Sequence, residues 1–401
     1  MTLVAEPMMW LESVAFTFLV PVGAVYDTAQ RGGLSNLTCE LALRGCGGRD
    51  SRQFVEALEE LGVEGAESVG VSHTSFRAAT LAGNLIPALA LYADLLRDAR
   101  LPPEEFEQGR HVAIQELRGV EDEPALKVMM ELRRSHYPDP WGRPHQGDLA
   151  GLQAMTIDDV RHQYARGYRP NGTILGVAGH FDWDTVRQIV EELFGDWSAA
   201  GPAEPETGPL QQGHKHLEHA SHQTQIGIAF PSVPYRHPDY FQAWGAVGVL
   251  SSGSSARLFS EVREKRGLCY AVSASLRSLK CRGSVFGYAG TTTERAQQTL
   301  DVMLEVIQQL GDGIEAVELD RLKARMKSSL IMAQESSAAR SGAIARDWYY
   351  LEHARTLDEI GRLVDALTPA SINAYLAANR PTDFTVVTLG PHSLEMPRGI
   401  S

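Results

Sequence analysis

TIDDVRHQYARGYRPNGTILGVAGH, residues 156–180, and TPASINAYLAANRPTDFTVVTLGPH, residues 368–392, decide the architecture of this 401-residue chain. Each opens on a threonine placed to cap a helix, runs through an amphipathic segment and breaks at Arg-Pro. Each then continues as a β-rich run that closes on a glycine and a histidine. Thr156 has Asp159 three residues on, as a capping box requires, and Thr368 is followed by Pro369, a residue favoured at the first helical position. The two threonines lie 212 residues apart, and a similar offset takes SVAFTFLVPVG, from Ser13, onto TQIGIAFPSV, from Thr224. The chain therefore reads as two copies of one unit: a first domain at 1–200, a linker at 201–213 and a second domain at 214–401. The stretch Ser198 to Gly213 reads as the linker from its Pro, Gly and small polar content. Each half is long enough to bury its own core.

Within the first half, a strand near Ala15 to Val20 precedes helices at Leu34–Leu43 and Ser51–Gly62. A β-rich run at Val69–Leu81 leads to helices at Leu85–Arg97, Pro103–Arg118 and Lys127–His136. The second half offers long helices at Thr292–Leu310 and Glu315–Gln334. Strands in blocks with helices between them predict an α+β fold rather than a doubly wound parallel sheet.

A second informative stretch is SSGSSARLFSEVREKRGLCY, Ser251 to Tyr270. A turn of small residues leads into a helix, Gly267 stops it, and Tyr270 opens a β-rich run. A guanidinium and a phenol delivered from one helix-to-strand corner, here Arg263 and Tyr270, can hold a peptide carbonyl. A surface Arg beside a core Tyr is the plain structural alternative. The stretch resembles the second-half signature of the insulinase/pitrilysin zinc peptidases, especially the small two-domain branch related to mitochondrial processing peptidase. The resemblance covers nearly the whole chain, including GRPHQGDLAGLQAMT and FGDW. It implies two homologous domains, each a mostly antiparallel curved sheet backed by helices, closing like a clam shell. It also implies that Arg263 and Tyr270 assist catalysis at a zinc centre carried by another domain.

The zinc half of that signature is missing. Active relatives carry H-x-x-E-H on a first-domain helix, where two histidines one turn apart bind zinc and the glutamate activates water. The matching segment is GLSNLTCELALRG, which puts Asn36 and Glu40 at the histidine positions and Cys39 at the glutamate. The first histidine anywhere in the chain is His73. FEQGRHVAIQELRG keeps the third ligand as Glu116, but Gly109 replaces the supporting acid. Asn36, Glu40 and Glu116 offer only oxygens, which suit a hard ion better than zinc. No native metal is expected in this chain, and zinc is expected in a partner. A second group, His214, His216, His219 and His222, has the wrong spacing for a helical zinc site and reads as a surface strand.

A formal net charge of −13 argues against nucleic acid, since phosphates need a cationic face. SSGSS and GCGG carry neither phosphate-loop pattern and read as tight turns. Cys39, Cys46, Cys269 and Cys281 have no disulfide or zinc-ribbon spacing. With no charged leader before a long apolar core and no membrane-length apolar run, the expected location is the cytoplasm. The expected function is the non-zinc subunit of a heterodimeric metallopeptidase, inactive alone. It would supply Arg263, Tyr270 and half of a peptide chamber to a zinc-bearing homologous subunit, with a homodimer as the alternative for the isolated chain. A non-enzymatic peptide-binding or scaffold protein of the same family is the runner-up, and a metallopeptidase acting alone through another site is the third reading.

Overall fold

The computed structural model describes residues 1–199, 201, 205 and 208–397, so part of the expected linker lies outside the described residues. Among the described residues ten strands form two five-stranded sheets. The first holds β1 (Thr2–Pro7), β2 (Ser13–Val20), β3 (Glu64–Val69), β4 (Thr74–Leu81) and β5 (Ile174–Gly179). The second holds β6 (Gly213–Glu218), β7 (Gln223–Ser232), β8 (Cys269–Ser278), β9 (Gly283–Thr292) and β10 (Thr385–Gly390). Their spatial orders, β1-β5-β2-β4-β3 and β6-β10-β7-β9-β8, are one topology written twice. In each sheet the pair at one edge, β1 with β5 and β6 with β10, is parallel and the rest are antiparallel. The fold is thus α+β and duplicated. The caps at the start of both repeats are capping boxes, Thr156 with Asp159 and Thr368 with Ser371.

Two compact units result, and they do not follow chain order. The helix Pro124–His136, from the first half of the sequence, packs on β7 and β10 in the second unit. Its counterpart Ser337–Leu351, from the second half, packs on β1, β2 and β5 in the first. Each copy lends the same helix to the other copy's sheet. A glycine clears the crossing in both. A Cβ on Gly176 of β5 would collide with the Ser341 carbonyl, and one on Gly227 of β7 would meet Leu132 at 3.2 Å.

The two loaned helices are fastened differently. In the first unit Thr17 and Ser341 share a hydroxyl hydrogen bond of 3.0 Å. Buried Arg340 grips both oxygens of Glu6 at 2.5–3.1 Å. In the second unit the ion pair is the more exposed one, Lys215 Nζ of β6 donating to Glu131 Oε1 of the helix at 2.5 Å, and the buried anchor is neutral. Fully buried His136 bridges Thr385 Oγ1 and Ser284 Oγ, each at 2.9 Å. Burial pushes its imidazole pKa down to about 4.

Candidate functional site

The helix Leu34–Ala42 carries Asn36, Cys39 and Glu40, the positions matched to H-x-x-E-H in the sequence, and a buried carboxylate fixes where it begins. Asp27 accepts from the Gly33 and Ser35 amides, both at 2.9 Å, and from the Ser35 hydroxyl at 2.6 Å. Gly33 sits at φ +92°, a conformation that suits glycine at this entry. Burial raises the Asp27 pKa to about 6, against the opposing pull of those hydrogen bonds. Leu37 and Leu41 on the same helix are wholly buried.

The opposite face lines a cavity of about 400 Å³ with Asn36, Cys39, Glu40, Glu67, Glu116 and His145. All four positions read from the degenerate motif therefore meet in one place. Their side chains satisfy each other or their neighbours. Asn36 Nδ2 donates to Glu116 Oε2 at 2.8 Å. Glu40 Oε1 accepts from Arg44 Nη2 at 2.7 Å, and Arg44 also reaches Glu105 at 3.0 Å. Cys39 is buried, and that burial drives its thiol far above the ordinary value, with Glu67, Glu40 and Glu116 adding to the effect. That direction disfavours a thiolate nucleophile at Cys39 at neutral pH. Gly109 is closed off as well: a Cβ there would lie 2.9 Å from Leu41 Cδ2.

His145 is the site residue that sequence reasoning missed. Its Nε2 lies 3.9 Å from Glu116 Oε1. It belongs to GRPHQGDLAGLQAMT, a segment legible as a match but far from Glu116 in sequence, so only the fold brings the two together. The strand β3 was missed too, because EGAESV is neither apolar nor alternating. It is the edge of its sheet, and Glu67, Ser68 and Val69 flank the cavity.

In the second unit Phe259–Glu264 is wound as a π turn, with Lys265 N donating to Ser260 O at 2.9 Å. This differs from the regular helix expected there. Gly267 ends it at φ +59°, with Leu268 N donating to Val262 O at 2.9 Å and Gly267 N to Arg263 O at 3.0 Å. Arg263 is exposed and stacks its guanidinium 4.8 Å from the Phe259 ring centre.

Tyr270 is not a core residue; it is 49% exposed. The pairing of β8 with β9 slips between Cys269 and Ala271, so Tyr270 is the extra residue of a bulge, a device that re-aims a side chain. Its ring lies over Gly290, where a Cβ would collide with it. Its hydroxyl donates to Gln223 Oε1 at 3.1 Å and Gln225 Oε1 at 3.3 Å, and Tyr288 donates to the same Gln225 oxygen at 2.7 Å. Burial, and then the adjacent Tyr270 hydroxyl, push the Tyr288 phenol above its ordinary value.

The first half of the histidine-rich segment is a strand, and His219 and His222 lie beyond its end. His214 and His216 lie on edge strand β6, and His216 Nδ1 pairs with Thr388 Oγ1 at 2.9 Å. Among the described residues, no group of three His, Cys, Asp or Glu side chains is placed to hold a metal ion.

A family model described as insulinase (peptidase family M16) matches residues 11–146, and one described as the peptidase M16 inactive domain matches residues 154–326. The chain belongs to the insulinase family. An uncharacterized zinc protease of Rickettsia felis is 25% identical over 350 residues, 87% of this chain and 85% of that one. The crystal structure of a peptidase M16 inactive domain from Pseudomonas fluorescens superposes with a TM-score of 0.89 at 20% identity, covering 98% of this chain and 96% of the other. A chain of complex III2 from Candida albicans does so at 0.80 and 18% identity, over 97% and 93%. Relatives of this insulinase-family chain are named zinc proteases, whereas no metal-holding group of three side chains is found among its described residues. No described helix is long and apolar enough to cross a membrane.

Proposed function

We propose that this chain is the zinc-free subunit of a two-subunit insulinase-family peptidase in the cytoplasm. A homologous partner brings H-x-x-E-H, and this chain brings Arg263, Tyr270 and half of the peptide chamber. The observation that carries the reading is Tyr270. A bulge, a glycine and two glutamines hold an exposed phenol at one orientation that its own core does not need. When water attacks a peptide carbonyl, charge builds on its oxygen, and a prepositioned phenol and guanidinium stabilise that charge more than the ground state. The edge of β3 offers unpaired backbone groups to an extended peptide, the usual way a strand is added to a sheet.

The test is reconstitution with a zinc-bearing homologue from the same source. Tyr270→Phe keeps the ring and removes one donor, so kcat should fall roughly 10²- to 10³-fold, as for other oxyanion donors. Arg263→Ala should be at least as damaging, and it should also raise KM. Melting temperatures of both variants serve as folding controls. Unchanged turnover in both would discard the catalytic role. A second reading, a peptide-binding or scaffold subunit, is favoured by the likeness to a complex III chain, and it becomes the better account in that event.

A further inference from the structure

The SSGSS segment reads as a bare turn in the sequence because no lysine follows it. The fold gives it two cations from far along the chain. Arg321 and Arg325, one turn apart on the helix Ala316–Ala333, line a cavity of about 190 Å³ together with Ser252, Gly253, Ser254 and Ser255. Residues four apart share a helix face, so both guanidinium groups face the loop. Gly253 stands at φ +101°, and a Cβ there would lie 2.5 Å from Arg325 Nη1. The guanidinium thus rests against backbone that only glycine leaves bare.

The charges around this cavity are not balanced. Its one lining carboxylate, Glu318, is already held by Arg257 through two hydrogen bonds of 2.7 Å and by the Glu315 amide at 2.8 Å. Arg321 gives only its Nε, to the Val317 carbonyl at 3.2 Å. Among the described residues, no ion pair or side-chain hydrogen bond engages the Arg325 guanidinium or the hydroxyls of Ser252, Ser254 and Ser255. In a chain of formal net charge −13, carboxylates are plentiful, yet among the described residues none forms an ion pair with these two arginines, and only Glu318 acts on Arg321 through space. Two guanidinium forks and three hydroxyls around a space below the ~300 Å³ of ordinary ligand pockets suit a small tetrahedral oxyanion.

We propose that the Ser252–Ser255 loop, Arg321 and Arg325 bind a phosphoryl dianion, either free phosphate or the head of a phosphomonoester. The site is independent of the peptidase reading and uses none of its residues. The full chain is titrated calorimetrically with inorganic phosphate and with phenyl phosphate, at constant ionic strength set with chloride because exposed charges are screened by salt. One saturable site per chain is expected, weakened about ten- to hundredfold by Arg325→Gln and measurably by Ser254→Ala. Tighter phenyl phosphate identifies an ester as the ligand, and tighter phosphate identifies the free ion; either supports the proposal. No saturable binding above the chloride reference overturns it. So does undiminished affinity in the Arg321→Gln/Arg325→Gln variant with an unaltered melting temperature.

Discussion

On the helix Leu34–Ala42 of the first unit, both polar residues matched to zinc-ligand positions have a partner inside the protein: Asn36 holds Glu116, and Glu40 holds Arg44. At the corner Phe259–Tyr270 of the second unit, Arg263 and Tyr270 remain exposed, and Tyr270 is braced from beneath by Gln223 and Gln225. A site that has lost its function closes on itself, since a carboxylate near a cavity is stabilised by the nearest cation. A site still aimed at something outside keeps its donors in solvent and places its restraints behind them. The largest effect expected from this contrast is kinetic. In a reconstituted pair, Tyr270→Phe should cost roughly 10²- to 10³-fold in kcat, whereas Glu116→Gln should leave turnover within about twofold, because it only exchanges one hydrogen-bonded pair for another. Equal losses in the two variants would mean that the first-unit cavity takes part in the chemistry after all.

The same contrast can be pressed on the metal. The purified chain is expected to hold no stoichiometric zinc after mild chelation and re-addition; about one zinc per chain, abolished by Glu116→Ala, would contradict this. Asn36→His, Cys39→Glu and Glu40→His together restore the missing first-domain motif. The triple variant is expected to take up zinc yet turn over little peptide on its own. It leaves Arg44 with Glu105 as its remaining carboxylate partner, and the supporting acid is still missing at Gly109, where a Cβ 2.9 Å from Leu41 Cδ2 would force that side chain to shift.

The units should also respond to pH in opposite directions. His136 has a folded pKa of about 4 against 6.5 when exposed. As pH falls from 6.5 toward 4, the unfolded chain takes up a proton that the folded second unit refuses, and stability drops. Asp27 has a folded pKa of about 6 against 3.8. As pH rises from about 4 to 6, the unfolded chain releases a proton that the folded first unit keeps, and its stability drops. Each window is worth on the order of 3 kcal/mol for a fully buried group. Hydrogen exchange followed separately on β2 and β7 should show the crossing trends. Asp27→Asn should flatten the first and His136→Gln the second. Parallel trends in both strands would show that other groups dominate.

Much of this was legible in the sequence because it rests on local rules. The repeated Thr caps, the Arg-Pro breaks and the Gly267 stop each act within a few residues, and the duplicated α+β order follows from them. What was not legible rests on contacts between distant segments. The helix Ser337–Leu351 escaped notice because its buried side includes Arg340, Ser341 and Asp347, polar residues that only Glu6, Thr17 and neighbouring chain satisfy. For the same reason nothing in the sequence ties His145 to Glu116 or Arg325 to Gly253. The π turn before Arg263 was invisible because its apolar residues fit an ordinary helix equally well.

The smallest expected effect tests whether the two copies still behave as copies. Thr156 and Thr368 occupy the same place in the repeat, and each closes a capping box. Thr→Ala at such a position costs about 1 kcal/mol. The boxes differ in their third residue. Asp159 accepts from the Thr156 amide at 2.8 Å and its hydroxyl at 2.9 Å, and it is tied to Arg31 at 3.2 Å. Its carboxyl is held below the ordinary range because these hydrogen bonds and Arg31 outweigh its partial burial. Ser371 at the matching place is neutral, so it gains nothing from the positive end of the helix. Thr156→Ala leaves Asp159 with Arg31 and the helix dipole as alternative partners. Thr368→Ala leaves Ser371 to bond only its own neighbourhood. Thr368→Ala should therefore lower stability by the fuller amount, about 1 kcal/mol, and Thr156→Ala by a few tenths less. Urea melts at pH 7 resolve the difference. If Thr156→Ala proves the more damaging, its hydroxyl rather than Asp159 organises the box.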